Sequence, residues 1–159
     1  MKAGIIVYSK TGNTLAVAER IADKLKADGV TVSVERFSAE KLPQSNKPIR
    51  LTAVPNPNEF DVVIFGAPVQ AFSLDPAMSL YFEQIKEIKS KNVLCFVTQH
   101  FKKTWMGGNH AMKQLLAFLK KKGISAKPLG VVNWSSEQRE EQILQIVQKC
   151  SSEWKEIKT

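Results

Sequence analysis

The chain of 159 residues predicts a three-layer, doubly wound α/β domain built on five parallel strands. Three observations predict it. Short apolar runs alternate with segments of helical periodicity. The runs are apolar on consecutive residues, as strands buried on both faces are. Several of them end in turns of Gly, Pro, Ser, Thr or Asn, the place where an open α/β sheet holds its ligand. The length favours one domain over residues 1–159, with no internal repeat or linker.

The elements follow in order. "AGIIVYS" is a strand that runs into a turn. From Thr14 to Asp28, apolar residues at Leu15, Ala18, Ile21, Ala22 and Leu25 keep helical spacing, and Gly29 supplies a stop. "VTVSVERF" alternates and is rich in valine, so it is the second strand. Residues 38–60 hold Pro43, Pro48, Pro55 and Pro57, which predicts an irregular connection with one short helical turn. "DVVIFGAP" is a third strand followed by a turn. Residues 76–89 have helical spacing, with Met78, Leu80, Tyr81, Ile85 and Ile88 as buried candidates. "NVLCFVTQ" is the fourth strand, residues 107–122 a helix closed by Gly123, "ISAKPLGVVNW" the fifth strand, with Pro128 as a candidate interruption, and residues 136–156 a last amphipathic helix.

Net charge is +8 and uneven: residues 101–134 carry seven lysines and no acid. One face is expected to be strongly positive. No apolar stretch reaches the ~18 residues of a membrane helix, and the N-terminus lacks the pattern of a signal peptide, so a cytoplasmic protein is expected. Cys95 and Cys150 lie outside any CxxC pattern, and His100 and His110 lack metal-ligand spacing, so neither a disulfide nor a metal site is expected. Nucleic acid is a weak candidate, since no recognised motif accompanies the charge.

Three loops, after strands one, three and four, can carry chemistry. "SKTGNT" contains no carboxylate and precedes a helix, so its amides and the helix N-terminus form an anion site. Ser9, Thr11 and Thr14 add hydroxyls, Gly12 lets the backbone wrap closely, and Asn13 tolerates unusual dihedrals. The loop lacks GxxxxGK[ST] and GxGxxG, which sets aside a triphosphate loop and a dinucleotide fingerprint. It lacks the Cys and Arg of a cysteine phosphatase. It also lacks the acids of a signalling receiver domain. An ordinary turn with Thr11 or Asn13 as N-cap is the plain alternative. The second loop, "GAPVQAFSLDPA", puts Phe72 at a tip, where it either packs back on the core or faces a ligand. The third, "TQHFKKTWMGGNH", holds Phe101 and Trp105, and Trp105 is either a core anchor or a ring-stacking group.

Together these loops resemble those of the flavodoxin family, over almost the whole chain. "SKTGNT" is similar to that family's FMN-phosphate turn, and the uninterrupted fifth strand resembles its short-chain members. The resemblance implies the strand order 2-1-3-4-5 and an FMN cofactor that carries the redox chemistry. It implies that Ser9, Lys10, Thr11, Gly12, Asn13 and Thr14 bind phosphate. Pro68, Val69, Gln70, Ala71 and Phe72 would line one side of the isoalloxazine ring. Thr98, Gln99, His100, Phe101, Trp105, Gly107 and Gly108 would line the other side and the pyrimidine edge. No catalytic residue and no metal is implied.

Two departures set this chain apart from the acidic low-potential carriers of the family. The second loop offers only Phe72 where a Trp or Tyr is common. The third loop offers Phe101 and Trp105 beside Lys102 and Lys103, where a Tyr flanked by acids is common. A lysine near the anionic edge of reduced FMN contributes on the order of 1 kcal/mol, roughly 40 mV for one electron. Full reduction is therefore expected to be easier than in an acidic relative. The expected function is electron transfer with redox partner proteins, acidic ones given the lysines. The alternatives are an NAD(P)H-dependent flavin oxidoreductase resembling quinone reductases, and a partner-binding module without flavin on the same fold.

Overall fold

The computed structural model describes residues 1–43 and 49–159. Its elements run β1 Lys2–Tyr8, α1 Asn13–Ala27, β2 Thr31–Phe37, β3 Ala39–Lys41, β4 Ile49–Leu51, a 3-10 turn at Pro57–Glu59, β5 Val62–Gln70, β6 Ser73–Leu74, α2 Pro76–Gln84, β7 Asn92–Gln99, α3 Gly108–Lys121, β8 Lys127–Asn133 and α4 Arg139–Lys158. The main sheet has the order β2-β1-β5-β7-β8, with every neighbouring pair parallel. These are the five expected strands in the expected order. The short β6 adds antiparallel to the end of β5.

Successive residues of each strand point to opposite faces, and here both faces are covered. Ala3, Ile5 and Val7 of β1, with Ile64 of β5 and Phe96 of β7, pack under α1 and α4 through Val17, Ile21, Leu25, Ile146 and Trp154. Ile6 and Tyr8, with Val63, Phe65, Cys95 and Val97, pack under α2 and α3 through Met78, Tyr81, Phe82, Met112, Leu115 and Leu119. Two apolar cores thus share one sheet, which is why the strands read as continuous apolar runs.

Four expectations change. The helix expected over 76–89 stops at Gln84. Ile85 and Ile88 are still buried, but in an extended path. Lys122 Nζ donates to the Ile85 carbonyl, Asn58 donates to the Glu87 carbonyl, and the Lys89 amide donates to the Asn58 side chain. The connection over 38–60 contains the expected short helical turn, but also an antiparallel β3–β4 pair. Glu40 and Arg50 form an ion pair across it, and the expectation for residues 44–48 lies outside the described residues. Pro128 does not interrupt the last strand. It sits on edge strand β8, where a missing N–H is tolerated, and a bulge places Leu129 between the partners of Cys95 and Phe96. The third strand does not end in a turn after Pro68 but continues to Gln70.

No helix among the described residues is long and apolar enough to cross a membrane. No group of three or more His, Cys, Asp or Glu among them is placed to hold a metal ion.

Candidate functional site

The chain leaves β1 for β2 on one side and reaches β5 on the other. The carboxyl ends of β1 and β5 therefore mark the switch point where such sheets open a crevice. A cleft of about 380 Å³ lies there, lined by Lys10, Thr11, Asn13, Thr14, Pro68, Val69, Gln70, Asp75, Thr98, Gln99 and His100. All three loops singled out in the sequence contribute to it.

The first loop is held open from behind. The buried Ser9 hydroxyl accepts the amides of Gly12 at 3.1 Å and Leu15 at 3.2 Å. The Ser9 carbonyl accepts two hydrogen bonds from Arg36 of β2, 3.1 Å from Nε and 2.6 Å from a terminal nitrogen. Gly12 is the N-cap of α1 at φ +99°, and a Cβ there would meet nothing within 4 Å, so conformation and not space calls for glycine. Among the described residues, no acceptor takes the amides of Lys10, Thr11, Asn13 and Thr14. No acid stands in the first turn of α1. Donor amides, the positive end of a 15-residue helix and no competing carboxylate in the turn make a cradle for an anion. The Thr14 hydroxyl bonds the Thr98 hydroxyl at 2.8 Å, both buried, and ties this loop to β7.

The second loop is a hairpin. Gln70 pairs with Ser73, and Ala71 and Phe72 form the two-residue turn at φ +49° and +64°. Such turns favour Asn-Gly because both central residues take positive φ. An Ala-Phe pair there is strained, and its neighbours hold it. The Leu74 amide donates to Gln114 of α3 at 2.7 Å, and the Asp75 amide donates to the Pro68 carbonyl. Phe72 does not pack back on the core. It is 55% exposed and stacks flat on Phe101 of the third loop, centroids 5.2 Å apart and planes within 2°.

The third loop is anchored by Gln99, whose amide nitrogen donates to the Lys103 carbonyl and to Asn133 of β8. Asn133 donates on to Thr104 at 3.0 Å. The side-chain oxygen of Gln99 is buried without a partner among the described residues. Trp105 is no core anchor: it is 75% exposed and outside the cleft lining. Gly107, at φ +118°, packs against the hairpin, since a Cβ there would lie 2.8 Å from the Phe72 Cα. Gly108 packs against Val131 and Gln99. A second cavity of about 440 Å³, between Lys102–Thr104 and the start of α4, lies beyond this loop.

Two residues that shape the cleft, one from outside it and one within it, are not visible as such in the sequence. Arg36 reaches the first loop because the parallel register sets it opposite Val7. Asp75 is buried in the cleft and caps α2, accepting the Ala77 amide at 2.9 Å. Its Asp-Pro dipeptide is a helix-start signal, but not a cleft signal. Burial raises the Asp75 carboxyl above the ordinary range, against the pull of the Ala77 amide and of Lys10. Burial also raises the Tyr8 phenol, with the Asp75 charge adding to it and Arg36 opposing.

An open sheet with an anion cradle at its switch point and flat aromatic faces at the cleft mouth defines the class of three-layer ligand-binding α/β proteins. The family model described as Flavodoxin domain matches residues 4–132, so the chain belongs to the flavodoxin family. Solved structures share the fold. The flavodoxin of Streptococcus pneumonia TIGR4 superposes with a TM-score of 0.70 at 20% identity, covering 98% of this chain and 99% of that one. Flavodoxin 2 of Bacillus cereus gives 0.69 at 14% identity, over 98% and 99%. A Lactobacillus acidophilus flavoprotein solved in complex with FMN gives 0.55 at 17% identity, over 89% and 97%. No curated protein matches the chain at a significant level.

Proposed function

We propose that the cleft binds FMN and that the protein transfers electrons through it. The observation that carries this reading is the loop from Ser9 to Thr14, with four amides that have no acceptor among the described residues, in a chain of the flavodoxin family. A flavin monophosphate fits the residues present. Lys10, Thr11, Asn13 and Thr14 offer amides, and the threonines hydroxyls, to a phosphate, while Ser9 and Gly12 shape the turn. Pro68, Val69 and Gln70 offer one wall for a flat ring, and Thr98, Gln99 and His100 the other. Ala71 and Phe72 turn the hairpin outside that lining, and Phe72 and Phe101, stacked on each other, stand beside the ring's place and not on either side of it. The unpartnered Gln99 oxygen is an acceptor suited to a ring N–H. Gly107 lets the third loop close on the hairpin and Gly108 lets it close on Val131 and Gln99, while Trp105 stands exposed outside the cleft. Bound flavin supplies one- and two-electron chemistry, and the chain's residues bind it, orient it and set the field around it. Lys102 and Lys103 favour an anionic reduced ring, which supports a second reading: an oxidoreductase that accepts hydride from NAD(P)H.

The test is a visible spectrum. Purified protein is mixed with FMN, gel-filtered and reduced stepwise without air. Retained yellow colour that bleaches on reduction is expected. Bleaching by NAD(P)H alone would favour the oxidoreductase. A colourless protein after filtration would overturn FMN binding and leave the fold as a module for another partner.

A further inference from the structure

Three exposed aromatic side chains stand on the second and third loops, beside the cleft. Phe72, Phe101 and Trp105 are 55%, 37% and 75% exposed, and Trp105 lines neither cavity described above. The hairpin and the third loop hold Phe72 and Phe101 in place, and Trp105 stands four residues beyond Phe101 on the same loop. Phe72 lies flat on Phe101, and Gly107 brings the two loops into backbone contact. Exposed aromatics clustered on ordered loops mark protein interfaces, and Trp is among the residues that most often dominate their energetics.

The charge on the third loop itself is one-sided, with Glu137 the carboxylate that shares a cavity with its lysines. Lys102 and Lys103 flank Phe101, and residues 101–134 contain no acid. The ion pairs among the described residues are Arg20–Glu140, Lys24–Asp28, Arg50–Glu40 and Lys127–Glu153. None involves Lys102 or Lys103, so the rim of the aromatic patch offers two ammonium groups to an outside partner.

We propose that Phe72, Phe101 and Trp105, framed by Lys102 and Lys103, form the docking face for a redox protein whose own contact surface is rich in carboxylates. The proposal rests on the reading of the cleft as a flavin site, because it puts the face at that cleft's mouth. The lysines steer the encounter and the rings supply the desolvated centre. Such a complex binds more weakly as salt rises.

Titration calorimetry with two purified probes tests it: an acidic two-iron ferredoxin and the basic cytochrome c. The ferredoxin is expected to bind, about tenfold more weakly when salt rises from about 20 to about 200 mM. Lys102→Glu/Lys103→Glu is expected to weaken it by about tenfold or more and to admit cytochrome c. Trp105→Ala is expected to weaken it at all salt concentrations. Equal affinity for both probes, no binding of the ferredoxin, or binding that survives the charge reversal would overturn the proposal. So would lysine-dependent binding of anionic vesicles or single-stranded RNA in a protein that ignores the ferredoxin. FMN retention is measured separately on every variant. Loss of docking with FMN retained bears on this face alone, whereas docking by a protein that retains no FMN would sink the flavin reading and spare the face.

Discussion

Arg36 shows how much one side chain outside the cleft can do. Its guanidinium holds the Ser9 carbonyl through two hydrogen bonds, which turns that carbonyl away from a loop whose amides must stay open. Arg36→Ala is expected to weaken FMN about tenfold, in line with the loss of a charge-assisted hydrogen bond, and to leave riboflavin, which has no phosphate, nearly unchanged. Arg36→Lys keeps the charge but loses the fork, so it should recover only part. Fluorescence titration with both flavins checks this. Asp75 raises a question of pH. Burial lifts its folded carboxyl above the ordinary value, so the fold disfavours the ionised form. Stability then falls as pH climbs from the ordinary carboxylate range through the folded value, and the full cost remains at every higher pH. Asp75→Asn keeps an acceptor for the Ala77 amide and removes the charge. Thermal melts from about pH 4 to 7 should lose that downward slope, and the variant should melt higher than the parent at neutral pH.

Elements here end where their neighbours decide. The hairpin of β5 and β6 turns through two non-glycine residues at positive φ, a conformation that costs an L-residue about 1 kcal/mol or more. Ala71 has only a methyl group to set against that cost, whereas Phe72 carries the ring that stacks on Phe101. Ala71→Gly is therefore expected to stabilise the protein by about 1 kcal/mol without changing FMN affinity, as denaturant unfolding and flavin titration would show. A melting temperature at or below that of the parent would mean that the turn is not strained. The same hairpin is clamped by Gly107 and Gln114, so a rigid scaffold, and not the turn's own preference, keeps Phe72 in position.

At the scale of the whole molecule, two cores lean on one sheet. Cys95 lies in the core under α2 and α3, and Cys150 in the core under α1 and α4. Burial pushes both thiols up to about 12, so both should resist a thiol reagent at neutral pH in the folded protein. Because the strands contribute side chains to both cores, the two should become reactive together in one unfolding transition. Reaction of one well before the other, in stepwise denaturant, would show that the layers come apart separately.

The sequence alone determined the five parallel strands, their order through the resemblance, the helices with clear stop signals, and the three loops that meet at the cleft. Apolar runs, Gly29 and Gly123 and the carboxylate-free turn are local signals, and local chemistry is written in adjacent residues. Tertiary structure decided what depends on residues far apart in the chain. Helix α2 ends at Gln84 because Asn58 and Lys122 hold residues 85–89 extended. Phe72 faces outward because its partner, Phe101, is supplied by another loop. Arg36 and Asp75 enter the site through strand register and burial, which no spacing in the sequence encodes. A buried charge or a long-range hydrogen bond gains its energy only when the fold has brought both partners together and excluded water.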